Sequence, residues 1–347
     1  MKLEAVSVAF PSKVVTISDT LDMIRSYSKK SFKGDIERAL KIINKILVYS
    51  GANKRQWLNK NERPIDLLEQ VVEDVLKKSG LKKNDIDLLI YTGIGRGFLE
   101  PGQSYILAKN LGMKHVQCFD ILDACMSWTR ALHLSYSYIR NKQYKKILIV
   151  NGEFNSAKDA SFFPQNYQLT NLQQIKWTFP NYTIGDAATA TLITDDPKNE
   201  WEWHFYADTS LADLCTIPTA EYSKFTKNYE RIGKNGVGRF CSFGNDMHIM
   251  GVPGCQIVFR KLSWPKSKIK MIFPHASSKQ AWAQGADTCG VEDKLFYVYP
   301  EYGNLVSASV PAGIALASEQ GKIQRGDPIV IWVGSAGMSF AVAGFTF

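Results

Sequence analysis

Short runs of consecutive apolar residues alternate along the chain with longer stretches whose apolar positions recur every three or four residues. The runs DLLIYT (Asp87 to Thr92), KILIVN (Lys146 to Asn151), Ala188 to Ile193, Lys270 to Phe273 and PIVIWV (Pro328 to Val333) carry little polar alternation, which is how strands read when helices cover both faces of their sheet. Helical period fits Ser18 to Tyr27, Asp35 to Val48, Pro64 to Ser79 and Ser104 to Leu111. Strands alternating with amphipathic helices predict an α/β protein with largely buried sheets. Met1 to Val15 reads as a first strand and not a signal peptide, because its apolar stretch is short, is broken by Ser7 and Pro11, and precedes no small-residue cleavage site. From Asn199 to Val252 the text is rich in Tyr, Gly and polar residues without helical period, and is expected to be insertion and cap, not core.

The order of elements repeats. Asp85 to Glu153 and Lys268 to Ser335 each run strand, loop, small-residue turn, long helix, turn, strand, glycine, the mark of a duplicated fold. Such a repeat is expected to bring Cys125 and Asn304 into equivalent places around a pseudo-twofold axis.

With 347 residues, 45% hydrophobic, 12% aromatic and 22% charged, the chain can bury a sizeable core unaided, and disorder, collagen and coiled coil are excluded. The net charge of +9 admits an anionic partner without identifying it. Lys77-Lys78, Lys82-Lys83, Lys145-Lys146 and Lys266 to Lys270 fall at predicted element ends without the aromatic interleaving of a nucleic-acid site, so they read as solvated turns or as docking points for an acidic carrier protein. No window supplies the apolar run of a membrane span, and a cytoplasmic location is expected. The six cysteines are scattered, without a CxxC pair or a histidine at ligand spacing, so neither a metal site nor a disulfide framework is indicated.

Cys125 opens an apolar stretch, Met126 to Ile139, that reads as a helix. A thiol at a helix start is expected to have a lowered pKa and to be nucleophilic, because the macrodipole and free amides favour its thiolate. An isolated cysteine among apolar neighbours is otherwise a structural thiol, the reading kept for Cys118, Cys215, Cys241, Cys255 and Cys289. His275 follows Pro274 at a strand end and is flanked by the small residues Ala276, Ser277 and Ser278. Asn304 follows Gly303 and precedes a small-residue helix. Read alone it is a helix cap; paired with His275 it could donate to a thioester oxygen as negative charge develops.

DACMSW around Cys125, GDAATA at Gly185 to Ala190, FPHASS around His275, YGNLVSASVP around Asn304 and the closing VGSAG together resemble the thiolase-superfamily condensing enzymes, specifically the β-ketoacyl-acyl-carrier-protein synthase III group. The motifs occur in the family's order over nearly the whole chain. The resemblance implies a thiolase fold: duplicated βαβαβαββ halves in an α/β/α/β/α layered arrangement, with residues 1–195 carrying the cysteine and a helical extension at 18–49, and residues 196–347 carrying the histidine and asparagine with an insertion at about 199–252. It implies a homodimer, an acyl-Cys125 intermediate, an enolate held by His275 and Asn304, and an acyl oxyanion held by backbone amides of Cys125 and of the loop Gly334, Ser335 and Gly337. No permanently bound cofactor is implied; substrates would be coenzyme A or acyl-carrier-protein thioesters. Gly185 and Asp186 read as architectural.

FLEPGQ (Phe98 to Gln103) and the extension Ile36 to Tyr49 resemble the branch of head-to-head condensing enzymes of olefin biosynthesis. In that branch a glutamate at the place of Glu100 acts as base across the dimer interface; otherwise Glu100 is a loop residue before Pro101. Decarboxylative condensation needs no such base, whereas condensation of two acyl thioesters does. Lys45 and Tyr49 stand where the chain-initiating enzymes carry a Trp and an Arg that grip adenine, which leaves a carrier-protein donor open beside coenzyme A. Trp128 is expected to shape the acyl pocket. Three functions follow: β-ketoacyl synthesis from a malonyl thioester or from two acyl thioesters, acyl transfer to oxygen or nitrogen, and an inactive partner subunit. Retention of Cys125, His275 and Asn304 together speaks against the last.

Overall fold

Two sheets, one from each half of the chain, face each other across a shared pair of helices in the computed structural model, which describes residues 1–157 and 160–347. The first half runs β1 (Lys2–Ala9), β2 (Lys13–Thr16), α1 (Ile17–Ser28), α2 (Ile36–Ser50), β3 (Lys54–Trp57), α3 (Pro64–Ser79), β4 (Leu88–Thr92) and α4 (Gln103–Asn110). It continues through β5 (Gln117–Ile121), α5 (Ser127–Arg140), β6 (Lys146–Glu153), the single turn α6 (Ile175–Thr178) and β7 (Ala187–Thr194). The sheet order is β1-β7-β6-β4-β5, with β4 parallel to both its neighbours and β7 antiparallel to β6 and β1. Every residue of β4 is buried, consistent with its unbroken apolar run.

The second half comprises β8 (Glu202–Ala207), β9 (Cys215–Thr216), β10 (Cys241–Ser242), α7 (Gly244–Arg260), β11 (Met271–Pro274), α8 (Lys279–Thr288), α9 (Tyr299–Tyr302), α10 (Ser309–Glu319), β12 (Pro328–Ser335) and β13 (Ser339–Thr346). Its sheet, β11-β12-β13-β8, repeats the first: β11 is parallel to β12 as β4 is to β6, and β13 and β8 follow antiparallel as β7 and β1 do. The counterpart of β5 is reduced to a parallel bridge between Ile272 and Leu295. Leu132 on α5 and Ile314 on α10 share one core with Ile90 and Ile149 of the first sheet and Ile331 and Phe345 of the second. Helices α3 and α4 cover the outer face of the first sheet, and α7 and α8 that of the second. This is the α/β/α/β/α layering of the thiolase fold.

The stretch 199–252 needs correction, because it is not all insertion. Glu202–Ala207 is a strand of the second sheet. Its inward face carries Trp203 and Phe205, stacked 5.9 Å apart, while Glu202 and His204 face away and pair with each other at 2.7 Å. The alternation of the two faces is that of a half-exposed strand, but it spans only four residues of a polar stretch. Helix α7 was hidden by Gly251, Pro253 and Gly254, residues unfavourable in a helix interior. Packing overrides propensity there: a Cβ on Gly254 would lie 2.4 Å from the Phe340 ring. Between β9 and β10, which pair with each other, the chain forms a cap whose Glu230, Arg231 and Lys234 reach the cavity described below.

Among the described residues no helix is long and apolar enough to cross a membrane, and no cluster of three or more His, Cys, Asp or Glu could hold a metal ion.

Candidate active site

Beyond the end of β5 the chain turns sharply. Ala124 adopts φ 44°, Ala124–Met126 form one tight turn, and α5 starts at Ser127. Met126 N donates to Asp123 O at 2.8 Å and to Ser335 Oγ at 3.2 Å. Ser127 Oγ donates to Ala124 O at 2.7 Å and accepts from Asp123 N at 2.8 Å. A positive φ is costly for alanine, and these bonds hold the turn so that Cys125 faces a cavity of ≈ 1240 Å³.

His275 and Asn304 line the same cavity. His275 sits just past β11, its backbone N bonded to Trp332 O at 2.9 Å. Asn304 is pinned by its own backbone: its N donates to Thr183 O at 2.7 Å, and its O accepts from Gly185 N at 3.0 Å. Only glycine fits at 185, where a Cβ would lie 2.1 Å from Tyr302 O. Asn304 Oδ1 accepts from Val306 N at 2.8 Å, which leaves the Nδ2 amide as the end free to donate. Asp186 carries no chemistry in this geometry; buried, it accepts from the backbone N of Leu58, Asn155 and Ser156 and from Ser156 Oγ.

The expected equivalence of Cys125 with Asn304 is off by one helical turn. Val306, with φ 50°, opens a tight turn that hands over to α10 at Ser309, as Ala124 does before α5. Ser307 is therefore the counterpart of Cys125, and Asn304 precedes the repeated turn.

A second correction concerns the thiol. Burial pushes Cys125 well above the usual thiol range, with Cys215 and Glu153 adding to the rise, so the resting site holds a protonated cysteine and not the helix-stabilised thiolate expected from sequence. Desolvation outweighs the dipole. Burial also lowers His275 to about 4, against a backbone interaction with Val306 that raises it, and its Nδ1 has no hydrogen-bond partner among the described residues. The resting pair is a thiol and a neutral imidazole.

Trp128 does not shape the pocket. It lies on the face of α5 turned to the sheet, fully buried, with Nε1 donating to Thr191 Oγ1 at 3.0 Å. Trp128→Phe should lower stability in chemical denaturation by about 1–2 kcal/mol, through the lost bond and the orphaned hydroxyl, without changing acyl-chain preference in a chain-length panel. Of the closing loop, Gly334 and Ala336 line the cavity, Ser335 turns inward to lock Met126, and Gly337, with φ 115°, makes the turn into β13. Glu100 is exposed and lies outside the cavity of its own chain, next to Leu99, which is 87% exposed. Tyr49 reaches the cavity from α2 with Ile42 and Ile46, and Lys45 does not.

Several site residues went unread in the sequence. Cys215, Cys255 and His248 also line the cavity; burial pushes both thiols up to about 12 and lowers His248, which in turn acts to lower its neighbour His275. Nothing in their local sequence marks them. Glu153 had a signal, a carboxylate ending an otherwise apolar strand.

The 3-oxoacyl-[acyl-carrier-protein] synthase III profile matches residues 119–163, and the profile of that family's C-terminal part matches residues 259–347. The chain is 24% identical over 316 residues to the β-ketoacyl-acyl-carrier-protein synthase III of Clostridium tetani, covering 86% of this chain and 89% of that one. With the corresponding enzyme of Fusobacterium nucleatum it shares 23% over 296 residues, covering 84% and 86%. Among solved structures, Xanthomonas campestris OleA with bound lauric acid and lauroyl-CoA superposes with a TM-score of 0.82 at 18% identity, over 99% of this chain and 98% of that one. The Aquifex aeolicus synthase III superposes with a TM-score of 0.79 at 19% identity, over 100% and 99%. The layered, duplicated fold is the thiolase fold, shared with both solved structures. In sequence the chain is similar to the β-ketoacyl-acyl-carrier-protein synthase III enzymes, which are acyl transferases.

Proposed function

We propose that this enzyme carries out a decarboxylative Claisen condensation of an acyl thioester with a malonyl thioester. The observation that carries the reading is that Cys125, His275 and Asn304, from three separate stretches of chain, line one cavity. In the first half-reaction the Cys125 proton passes to neutral His275 and the sulfur attacks the acyl carbonyl. Backbone amides at Cys125 and the β12–β13 turn hold the oxyanion, and the donor thiol leaves with the proton. In the second, the malonyl thioester loses carbon dioxide and its electron pair becomes an enolate whose oxygen is held by His275 and Asn304 Nδ2. The enolate carbon then attacks the acyl carbonyl, a carbon–carbon bond forms, the carbon–sulfur bond breaks and Cys125 is released. The cavity is the place for a carrier-protein or coenzyme A arm in this reading, with Lys176 at it, exposed and without an ion-pair partner among the described residues, to meet the arm's phosphate.

A second reading, condensation of two acyl thioesters, requires Glu100 to come from a second copy of the chain, because it is exposed and outside the cavity of its own. It stands beside the exposed Phe98 and Leu99, near the free edge strand β5 and exposed Leu122. This apolar edge suits a homodimer in which a second copy of the chain contributes Glu100 as base. Acyl thioesters incubated with and without a malonyl thioester, with products read by mass spectrometry, separate the readings. The first requires product only with malonyl thioester. The second requires product without it, and its loss in Glu100→Ala.

A further inference from the structure

Glu153 ends β6 fully buried, and among the described residues it is hydrogen-bonded only to neutral groups, on three separate stretches of chain. Oε1 accepts from Ser307 Oγ at 2.5 Å and from Ser307 N at 3.3 Å. Oε2 accepts from Asn155 Nδ2 at 3.0 Å and from Ile94 N at 3.2 Å. Ile94 and Val306 line the cavity, and Val306 N holds the amide of Asn304 in place. Ser307, reached from the other half of the chain, is the counterpart of Cys125. A buried carboxylate without a cation is an expensive way to fasten loops, and a neutral residue would fasten them at lower cost.

The charged and titratable groups around it are few. Tyr91 faces it from β4, with its phenol held protonated by burial. Arg96 is committed to Asp120 at 3.1 Å. Asp186 lies behind Asn155 and Ser156, bonded to their backbones. Cys125 packs with Ile94 and Val306, in the two turns that Glu153 fastens, and the charges of Cys215, Glu153 and Asp123 act on its thiol.

We propose that Glu153 is a positioning residue for the reaction at Cys125: it clamps the Ile94 and Ser307 turns around the nucleophile, and its negative charge governs how readily the thiol gives up its proton. The clamp follows from the hydrogen bonds, and the charge effect from like-charge repulsion in a dry site. Burial raises Glu153 to about 7, so it ionises across neutral pH. Below that range the carboxyl is neutral and does not oppose the thiolate. Above it the carboxylate forms and pushes the thiol pKa up, so Cys125 gains reactivity with pH more slowly than an isolated thiol. The inference rests on Cys125 being the nucleophile only for its catalytic meaning, because thiol alkylation reads the effect without substrate.

Glu153→Gln keeps most of the clamp. With its amide oxygen in the place of Oε1 it still accepts from Ser307 Oγ and N, while its NH2 faces the Asn155 side-chain amide, which turns over to accept, so only the 3.2 Å bond from Ile94 N is lost. Iodoacetamide labelling of Cys125, followed by peptide mass spectrometry to separate it from Cys215 and Cys255, should run about tenfold faster in Glu153→Gln than in wild type at about pH 8.5, a shift of about one pKa unit. At about pH 5.5 the two should react alike. A ratio that does not change with pH makes Glu153 merely structural and overturns the proposal, as does slower labelling of the variant at high pH. Should the variant not fold, the wild type decides. Its Cys125 labelling rate should rise less than tenfold per pH unit through the neutral range and regain the full slope above it, and an unbroken tenfold slope overturns the proposal.

Discussion

Replacing Cys125 with alanine should abolish condensation, by about a thousandfold or more, the scale seen when a covalent nucleophile is removed from a catalytic unit. The fold should survive, since the side chain lies at the cavity wall and the turn is held by Met126, Ser127, Asp123 and Ser335. Product formation by mass spectrometry and circular dichroism on the same sample check both halves of the expectation. Residual turnover at more than a few per cent of wild type would mean that the acyl group is carried elsewhere. Cys215 and Cys255 also line the cavity, but Cys215 lies in β9 and Cys255 inside α7, neither in a turn that opens a helix as Cys125 is, so neither should substitute.

His275→Ala and Asn304→Ala should each slow carbon–carbon bond formation by roughly a hundredfold, the usual scale for deleting an oxyanion donor. Acylation of Cys125 should be largely spared in Asn304→Ala, whose Nδ2 serves only the enolate, and slowed in His275→Ala, which removes the group that takes the thiol proton. Single-turnover experiments that follow acyl-enzyme formation and discharge separately make the distinction. If Asn304→Ala fails to acylate, the assignment of its amide to the second half-reaction is wrong. The pH dependence gives an independent check on His275. With its pKa lowered to about 4, the imidazole stays neutral as pH falls through the range where a solvated histidine takes a proton, so loss of condensation from His275 protonation belongs near pH 4 and not near the usual 6.5. An acid limb near 6.5 that disappears when His275 is replaced contradicts the burial described here.

The sheets were legible because strands buried on both faces have no need for polar alternation, so DLLIYT, KILIVN and PIVIWV stand out as apolar runs. Strand β8 differs from these runs: Glu202 and His204 alternate with Trp203 and Phe205, the pattern of a half-exposed strand, but over too few residues to stand out from the polar stretch around it. Helix α7 was masked by glycines that exist to admit Phe340, a tertiary requirement invisible in a local window. At the site, residue identity was readable and residue environment was not. Cys125, His275 and Asn304 carry motifs, but the balance between dipole and desolvation at the thiol depends on walls drawn from α2, the cap and α7. Trp128 shows the same limit: its place near the cysteine in sequence says nothing about which face of α5 it occupies. Glu153 and Ser307 meet from opposite halves of the chain, a pairing that only the folded duplication creates.

The central claim is that Cys125 carries the acyl group into a condensation. Intact-mass measurement of the wild-type enzyme after incubation with an acyl thioester should show a single acyl adduct, mapped by peptide analysis to Cys125. On addition of malonyl thioester that adduct should disappear as an equal amount of β-ketoacyl product forms. An adduct that maps to another residue, or one on Cys125 that malonyl thioester does not discharge into a β-ketoacyl product, would contradict the account.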